Sequence, residues 1–189
     1  MDAFFIEKLS NFPFSFKLLE KIVLQQLKKR VSNNSFLHPF QSAYRSNHSP
    51  ETVLLPIVND SLLAADSGKV SLLTLLDLSA AFDTIDHPIL LTRLEHTFGI
   101  HNTAFARFKS YLYDRFQTVS VNNMQSDPVN LSCGIPQGSI LGPVLFTLYT
   151  TPLASIINRH NLNHHFYAKD TQLLNSALPE NIHTSENHI

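Results

Sequence analysis

Residues 70–83 read Val70-Ser71-Leu72-Leu73-Thr74-Leu75-Leu76-Asp77-Leu78-Ser79-Ala80-Ala81-Phe82-Asp83. The run up to Leu76 is almost continuously apolar, the pattern of a strand buried on both faces. It ends on Asp77. A carboxylate at the end of a buried strand is costly unless it is paired or bound to a metal. Asp77 is therefore a candidate site residue on chemistry alone.

A second strand pair is expected far downstream. The segments HHFYA and TQLL flank Lys169-Asp170, which predicts a hairpin over 161–174 with Lys169-Asp170 at its turn. Asp77 and Asp170 would then be two strand-end carboxylates, distant in sequence. A two-metal phosphoryl-transfer site uses such a pair: the ions clamp the attacking and leaving oxygens and offset developing charge. Mg2+ would be the natural ion, since it takes oxygen ligands in near-octahedral geometry. The plainer readings stay open: Asp170 as an ordinary turn residue, and Asp77 as a capping or ion-paired one.

Between and around these segments the chain alternates helices and loops. Residues 16–31 carry Leu18, Leu19, Ile22, Val23 and Leu27 near helical spacing. Lys28, Lys29 and Arg30 fall in the last turn, where cations suit the carbonyl end; they equally suit a phosphate backbone. Residues 32–50 form a polar loop. Ser49 and Pro50 open a helix over 51–65, with a kink or interruption at Pro56. Helices are expected over 88–97 and over 102–114, the second capped by Asn102 with Phe105, Phe108, Tyr111 and Leu112 inward. A strand follows over 116–121, with a turn at Asn122-Asn123 and a partner strand over 127–132. Residues 133–143, CGIPQGSILGP, form a loop whose glycines permit close ligand approach. It leads into a helix over 143–158 that bends at Pro152. From residue 175 the chain turns polar, NSALPENIHTSENHI, and a disordered tail is expected there.

Composition sets outer limits. A chain of 189 residues can bury one sizeable core. It is 43% hydrophobic and 15% charged, and its net charge of −1 gives no overall basic excess toward nucleic acid. A local basic groove is compatible with that balance. Cys133 is the one cysteine, so no internal disulfide can form, which fits a reducing compartment. The first residues, MDAFFIEKLSNFPF, do not have the pattern of a secretory leader. No run reaches about 18 apolar residues, so no membrane span is expected. The expectation is an intracellular chain, with nucleus or cytoplasm left open.

Three blocks carry a specific resemblance. Residues 41–55 are QSAYRSNHSPETVLL, residues 75–87 are LLDLSAAFDTIDH, and residues 134–146 are GIPQGSILGPVLF. In this order they resemble the reverse-transcriptase domain of non-LTR (LINE-type) retrotransposons, with the likeness covering roughly residues 17–174. The resemblance implies an α+β fold: a partial fingers–palm of a right-hand polymerase, with a ferredoxin-like antiparallel palm sheet backed by helices. The parent chemistry is RNA-directed DNA synthesis by two-metal nucleotidyl transfer, with Mg2+ as cofactor and an RNA template, a DNA primer and deoxynucleotides as partners. Asp77 would be the first metal-binding carboxylate, and the Leu78 carbonyl would assist. Phe82 would lie beneath the incoming sugar. Gln137 and Gly138 would flank the templating pair, Arg45 would reach the triphosphate, and Tyr167 would precede the catalytic pair.

That pair is Asp-Asp in the family, written FYADD. Here it is Lys169-Asp170, in FYAKD. A protonated lysine cannot coordinate Mg2+ and would place positive charge where the ions bind. An ion pair between Lys169 and Asp77 would fill the vacated position. The expected consequence is polymerisation abolished or severely reduced. The rest of the palm and the thumb, expected beyond Leu174 in the family, are not recognisable in the sequence. Three functional readings stay open: a polymerase fragment, a non-catalytic RNA- or protein-binding remnant, and a transposon-derived fragment with no selected role. Oligomeric state is also left open.

Overall fold

A computed structural model describes residues 14–45, 48–121 and 124–181. The elements run α1 (Phe14–Asn33), α2 (Pro50–Asp66), β1 (Val70–Asp77), α3 (His87–Thr92), α4 (Asn102–Leu112), β2 (Phe116–Gln117), β3 (Ser120–Val121), β4 (Met124–Gln125), β5 (Val129–Asn130), α5 (Gly142–Thr150), α6 (Pro152–Arg159), β6 (Asn163–Tyr167) and β7 (Asp170–Ala177). They divide into two compact units, each made of two chain segments. One unit comprises residues 1–36 and 80–149, the other residues 37–79 and 150–189. No helix among the described residues is long and apolar enough to cross a membrane.

The second unit is built on an antiparallel sheet in the order β1-β7-β6. Pairing is continuous from Val70↔Ala177 to Asp77↔Asp170, and β6 pairs β7 from Asn163↔Leu174 to Tyr167↔Asp170. Helix α2 packs against all three strands and α6 against β6. Ala154, Ile157, Leu162, Phe166 and Leu173 form its buried cluster. The strand at 70–77 has the bounds its sequence predicts, but it is not buried on both faces. Val70, Leu73, Leu75 and Leu76 are all more than 40% exposed. The reason is that side chains project from the faces of a sheet, and these four are left uncovered there. An apolar run shows what a strand could bury, not what covers it.

Other boundaries shift for local reasons. Pro56 lies inside α2 without ending it. At the start of that helix Thr52 Oγ1 accepts from the Ser49 amide at 3.1 Å. Helix α3 is capped by Asp86, whose Oδ1 accepts from the Ile89 amide at 2.8 Å, and it widens into a π-helical turn over Arg93–Thr97. Asn102 is the first residue of helix α4 and not its cap; His101 precedes it and makes no side-chain capping bond. The strand expected over 116–121 is two short pieces, with β2 pairing β5 and β3 pairing β4. The helix expected over 143–158 is divided at Thr151, which keeps helical angles of φ −48 and ψ −40, and Pro152 beyond it has no N–H to continue the helical hydrogen bonds. The tail expected from 175 is corrected over its first residues: β7 runs to Ala177 and Pro179–Asn181 form a 3-10 turn. Residues 182–189, and the turn placed at Asn122-Asn123, lie outside the described residues.

The first unit ties three stretches of sequence together. The loop at 133–135 runs beside residues 82–87: the Gly134 amide donates to Ile85 O and the Ile135 amide to Phe82 O, both at 2.8 Å. His87, 1% exposed, binds the Gly134 carbonyl through Nε2 at 2.7 Å. Gly134 has φ +88, and a Cβ there would meet Asp83 O at 3.0 Å, so only glycine fits. The next part of the loop is held from α1. Glu20 is 3% exposed. Its carboxyl oxygens accept from Ser139 Oγ at 2.8 Å and from the Ile140 amide at 3.1 Å. Ser139 Oγ in turn accepts from Tyr111 Oη at 2.5 Å and from the Leu141 and Gly142 amides at the start of α5. Burial, reinforced by Glu20, pushes the Tyr111 hydroxyl above its ordinary range, so it stays a donor.

Glu20→Ala strands a half-buried hydroxyl and a half-buried amide at once. It should lower unfolding free energy by about 2 kcal/mol, with Glu20→Gln losing less; urea titration followed by far-UV dichroism checks both. In the second unit His38, His164 and His165 are all held below the usual histidine range by burial. The charges of His38 and His165 add to the effect on His164, while Asp60 opposes it at His165. Each is favoured neutral in the folded chain, so their contribution is present above the unfolded pKa and is lost as pH falls through the folded value. Stability should therefore drop as pH falls below about 6.5. The drop should be shallower in His164→Leu, which removes a buried ring whose Nε2 has no partner. Urea midpoints across that range test this.

Candidate active site

The carboxyl ends of β1 and β6 and the start of β7 bring one group of residues together. Asp77 and Asp170 are direct cross-strand partners. Asp170 is not at the hairpin tip. The turn is Ala168-Lys169, and Asp170 is the first residue of β7, opposite Tyr167. Ala168 takes φ +55, the positive φ that two-residue hairpin turns of type II′ need at their first central position. The turn is locked onto β1 by the Leu78 amide, which donates to the Lys169 carbonyl at 3.3 Å.

Two carboxylates directly opposite each other repel. Lys169 answers that charge: its Nζ lies 2.9 Å from Asp77 Oδ1, the ion pair expected from the sequence, with both side chains about half-exposed. The hydrogen bond to Asp77, the charge of Asp77 and then that of Asp170 hold the ammonium above the ordinary lysine range. It is thus a cation at any physiological pH. Among the described residues no three His, Cys, Asp or Glu side chains gather into a metal-holding group. The two acidic residues would suit a divalent ion, but the third position that would complete the set supplies an ammonium in contact with Asp77. The donor set does not fit the Mg2+ pair the resemblance implies.

Tyr44 belongs to this neighbourhood and is not marked by the sequence pattern. Burial, then the proximity of Tyr167 and Asp170, raises its hydroxyl above the usual range, and its backbone sits at φ +59. A bulky residue in that conformation is a signal only coordinates reveal. Its neighbour Arg45 donates from Nη1 to the Pro39 carbonyl at 3.3 Å.

The remaining candidates belong to the other unit. Phe82 stands against Phe146 with ring centroids 5.5 Å apart. Gln137 and Gly138 lie exposed in the loop; Gly138 has φ +78, with open space where a Cβ would project. Lys28 and Lys29 are exposed on α1. Arg30, exposed like them, donates from Nε to Phe98 O at 2.8 Å and from Nη2 to Gly99 O at 2.6 Å, which secures the end of the π-helical turn. Glu20 is the residue sequence reasoning passed over. Its one signal is a carboxyl on the helix stripe it shares with Leu27 and Val31, the other buried residues of α1.

Comparison with known proteins agrees with these blocks. The chain is 28% identical over 167 residues to the RNA-directed DNA polymerase from mobile element jockey of Drosophila melanogaster, covering 85% of this chain and 18% of that protein. It is 30% identical over 137 residues to the probable RNA-directed DNA polymerase from transposon BS of the same fly, covering 72% and 15%. The chain therefore spans less than a fifth of these relatives. Among solved structures, apo telomerase from Candida tropicalis superposes with a TM-score of 0.61 at 14% identity, over 89% of this chain and 36% of that one. That likeness shows the fold, a mixed α+β arrangement with an antiparallel sheet backed by helices, as in the fingers–palm of a reverse transcriptase. The profile described as "Reverse transcriptase (RNA-dependent DNA polymerase)" matches residues 8–188, and the chain belongs to the reverse transcriptase family, related to the non-LTR retrotransposon enzymes.

Proposed function

We propose that this chain is a reverse-transcriptase palm and fingers segment whose metal centre is closed by its own lysine, so that it does not carry out RNA-directed DNA synthesis. One observation carries the reading: Lys169 Nζ lies 2.9 Å from Asp77 Oδ1, opposite Asp170. In the parent reaction a primer 3′-hydroxyl attacks the α-phosphate of a deoxynucleotide and releases pyrophosphate, with divalent ions offsetting the charge that develops. A fixed ammonium neutralises Asp77 without offering open coordination positions to a phosphate or a hydroxyl. It also repels an incoming dication through the same short distance that holds it in place. Substrate recognition by the polymerase scaffold is a separate property from this charge block, and the block alone removes the chemistry.

Metal binding is the deciding readout, because an absence of synthesis has several causes. Calorimetric titration of the 189-residue chain with Mn2+ should give no saturable binding, whereas Lys169→Asp should bind and Lys169→Asp with Asp77→Ala should not. Primer extension on an RNA template with Mg2+ or Mn2+ should give no incorporation by the unaltered chain. Robust incorporation that disappears in Asp77→Ala would sink the proposal, as would Mn2+ binding by the unaltered chain that depends on Asp77.

A further inference from the structure

Residues 38–44 form a strap along the outer edge of β6. The Phe166 amide donates to Phe40 O and the Ser42 amide to Phe166 O, both at 3.0 Å, with Gln41 bridging Phe166. Arg45 closes the strap on itself through its bond to the Pro39 carbonyl. Tyr44, carried on the strap, lies beside Tyr167 and Asp170. Gln41, Ser42 and Ala43 are buried, so the strap stays closed while its contacts hold.

Two histidine rings sit where the strap meets β6. His38 and His164 lie 4.9 Å apart, centroid to centroid, in a stack with Phe40 and Phe166. Hydrogen bonding fixes both rings as neutral. The Phe40 amide donates to His38 Nδ1 at 3.4 Å, which requires that nitrogen to carry no proton. His164 meets the Leu162 carbonyl through Nδ1 at 3.5 Å. A carbonyl only accepts, so Nδ1 holds the ring's proton and Nε2 is bare. That Nε2 is buried without a partner, and a second proton there would be an unsatisfied donor in a ring 1% exposed. Two imidazolium rings at this separation would also repel. Burial already holds both below the ordinary histidine range. His165, next along the strand, points to the other face of β6, where Asp60 of α2 favours its charge. The remaining charged residues of α2, α6 and β7, namely Glu51, Asp66, Arg159 and Asp170, are exposed at element ends, and the titratable groups that act on His164 are His38 and His165.

We propose that residues 38–44 are a pH-sensitive strap: when His38 and His164 take up protons it releases from β6, and Tyr44 leaves the side of Asp170. In the released state both rings reach water and titrate near the ordinary histidine value of about 6.5. In the closed state each resists its second proton. A group whose pKa is lower in the closed state stabilises that state above the open-state value, and the contribution is lost as pH falls. The strap is therefore shut at neutral pH and opened by acid. Two protons are taken up together, so the response is steeper than one histidine gives. The β1–β7 ladder carries neither ring and pairs along all 8 residues of β1, so release is local and leaves the sheet in place. It does not depend on whether Lys169 blocks catalysis.

Hydrogen exchange of the 189-residue chain, read by NMR, tests this. Between about pH 6.5 and 5.5 the protection of the Ser42 and Phe166 amides should fall about thirtyfold, the product for two groups, while the β1–β7 ladder keeps its own. The Tyr44 ring signals should move over the same range. His38→Asn keeps an acceptor near the Phe40 amide, and His164→Phe keeps a ring in the stack. Each removes one titration, so the fall should shrink to about fivefold in either variant and vanish in the double variant. If His164→Phe loses the protection of the β1–β7 ladder, it has not folded and His38→Asn decides. Protection of Ser42 and Phe166 that ignores pH overturns the proposal. So does a fall shared by the β1–β7 ladder, which is unfolding and not release, or a fall undiminished in His38→Asn.

Discussion

Two carboxylates fixed opposite each other at the ends of paired strands require a cation, and the β1–β7 register leaves Asp77 and Asp170 no way to part. Every other feature of that corner follows from how the requirement is met. A two-residue turn with Ala168 at positive φ sets the next residue beside β1, and the Leu78 amide fixes the turn's carbonyl. Whatever stands at position 169 is therefore presented to Asp77. With an acidic side chain there, the corner would need cations from solution. With lysine, the cation is part of the chain. The turn that presents the residue is set by the backbone, so the fold does not depend on the charge carried there.

The other unit shows the same separation between scaffold and chemistry. The glycine-rich loop is not loose, despite its composition. Its first turn is held by backbone bonds to residues 82–85 and by the His87 ring, and its second by Glu20 and Tyr111 through Ser139. These partners position backbone, not substrate. The shape of this loop is set by the same forces that stabilise the unit.

Much of the fold was legible in the sequence because it rests on local patterns. The run from Val70 to Leu76 gave β1 its bounds, and the apolar spacing before Lys28 marked α1. What escaped depends on distant partners. The exposure of β1 is decided by what packs over its faces. Glu20 looks like a surface residue until Ser139 and Ile140 are brought to it from more than a hundred residues away. The carbonyls that Arg30 binds, those of Phe98 and Gly99, are likewise distant in sequence. At the candidate site the residue types were readable, but their register was not: a shift of the turn by one residue moves Asp170 from the tip to the strand and puts Ala168 beside Lys169 at the apex.

The long-range register of the sheet also governs how this protein comes into being. Val70 must wait for Ala177, roughly a hundred residues later, and both units are assembled from segments that the other interrupts. Neither can close while the chain is still being synthesised through its middle. Such topologies fold slowly, since loop closure must be met before the distant contacts form. Throughout that delay β1 is an apolar segment with no charge before Asp77 and both edges open, a state prone to aggregation. Its yield in a cell should thus depend on chaperone capture during translation more than on the final stability of the folded chain.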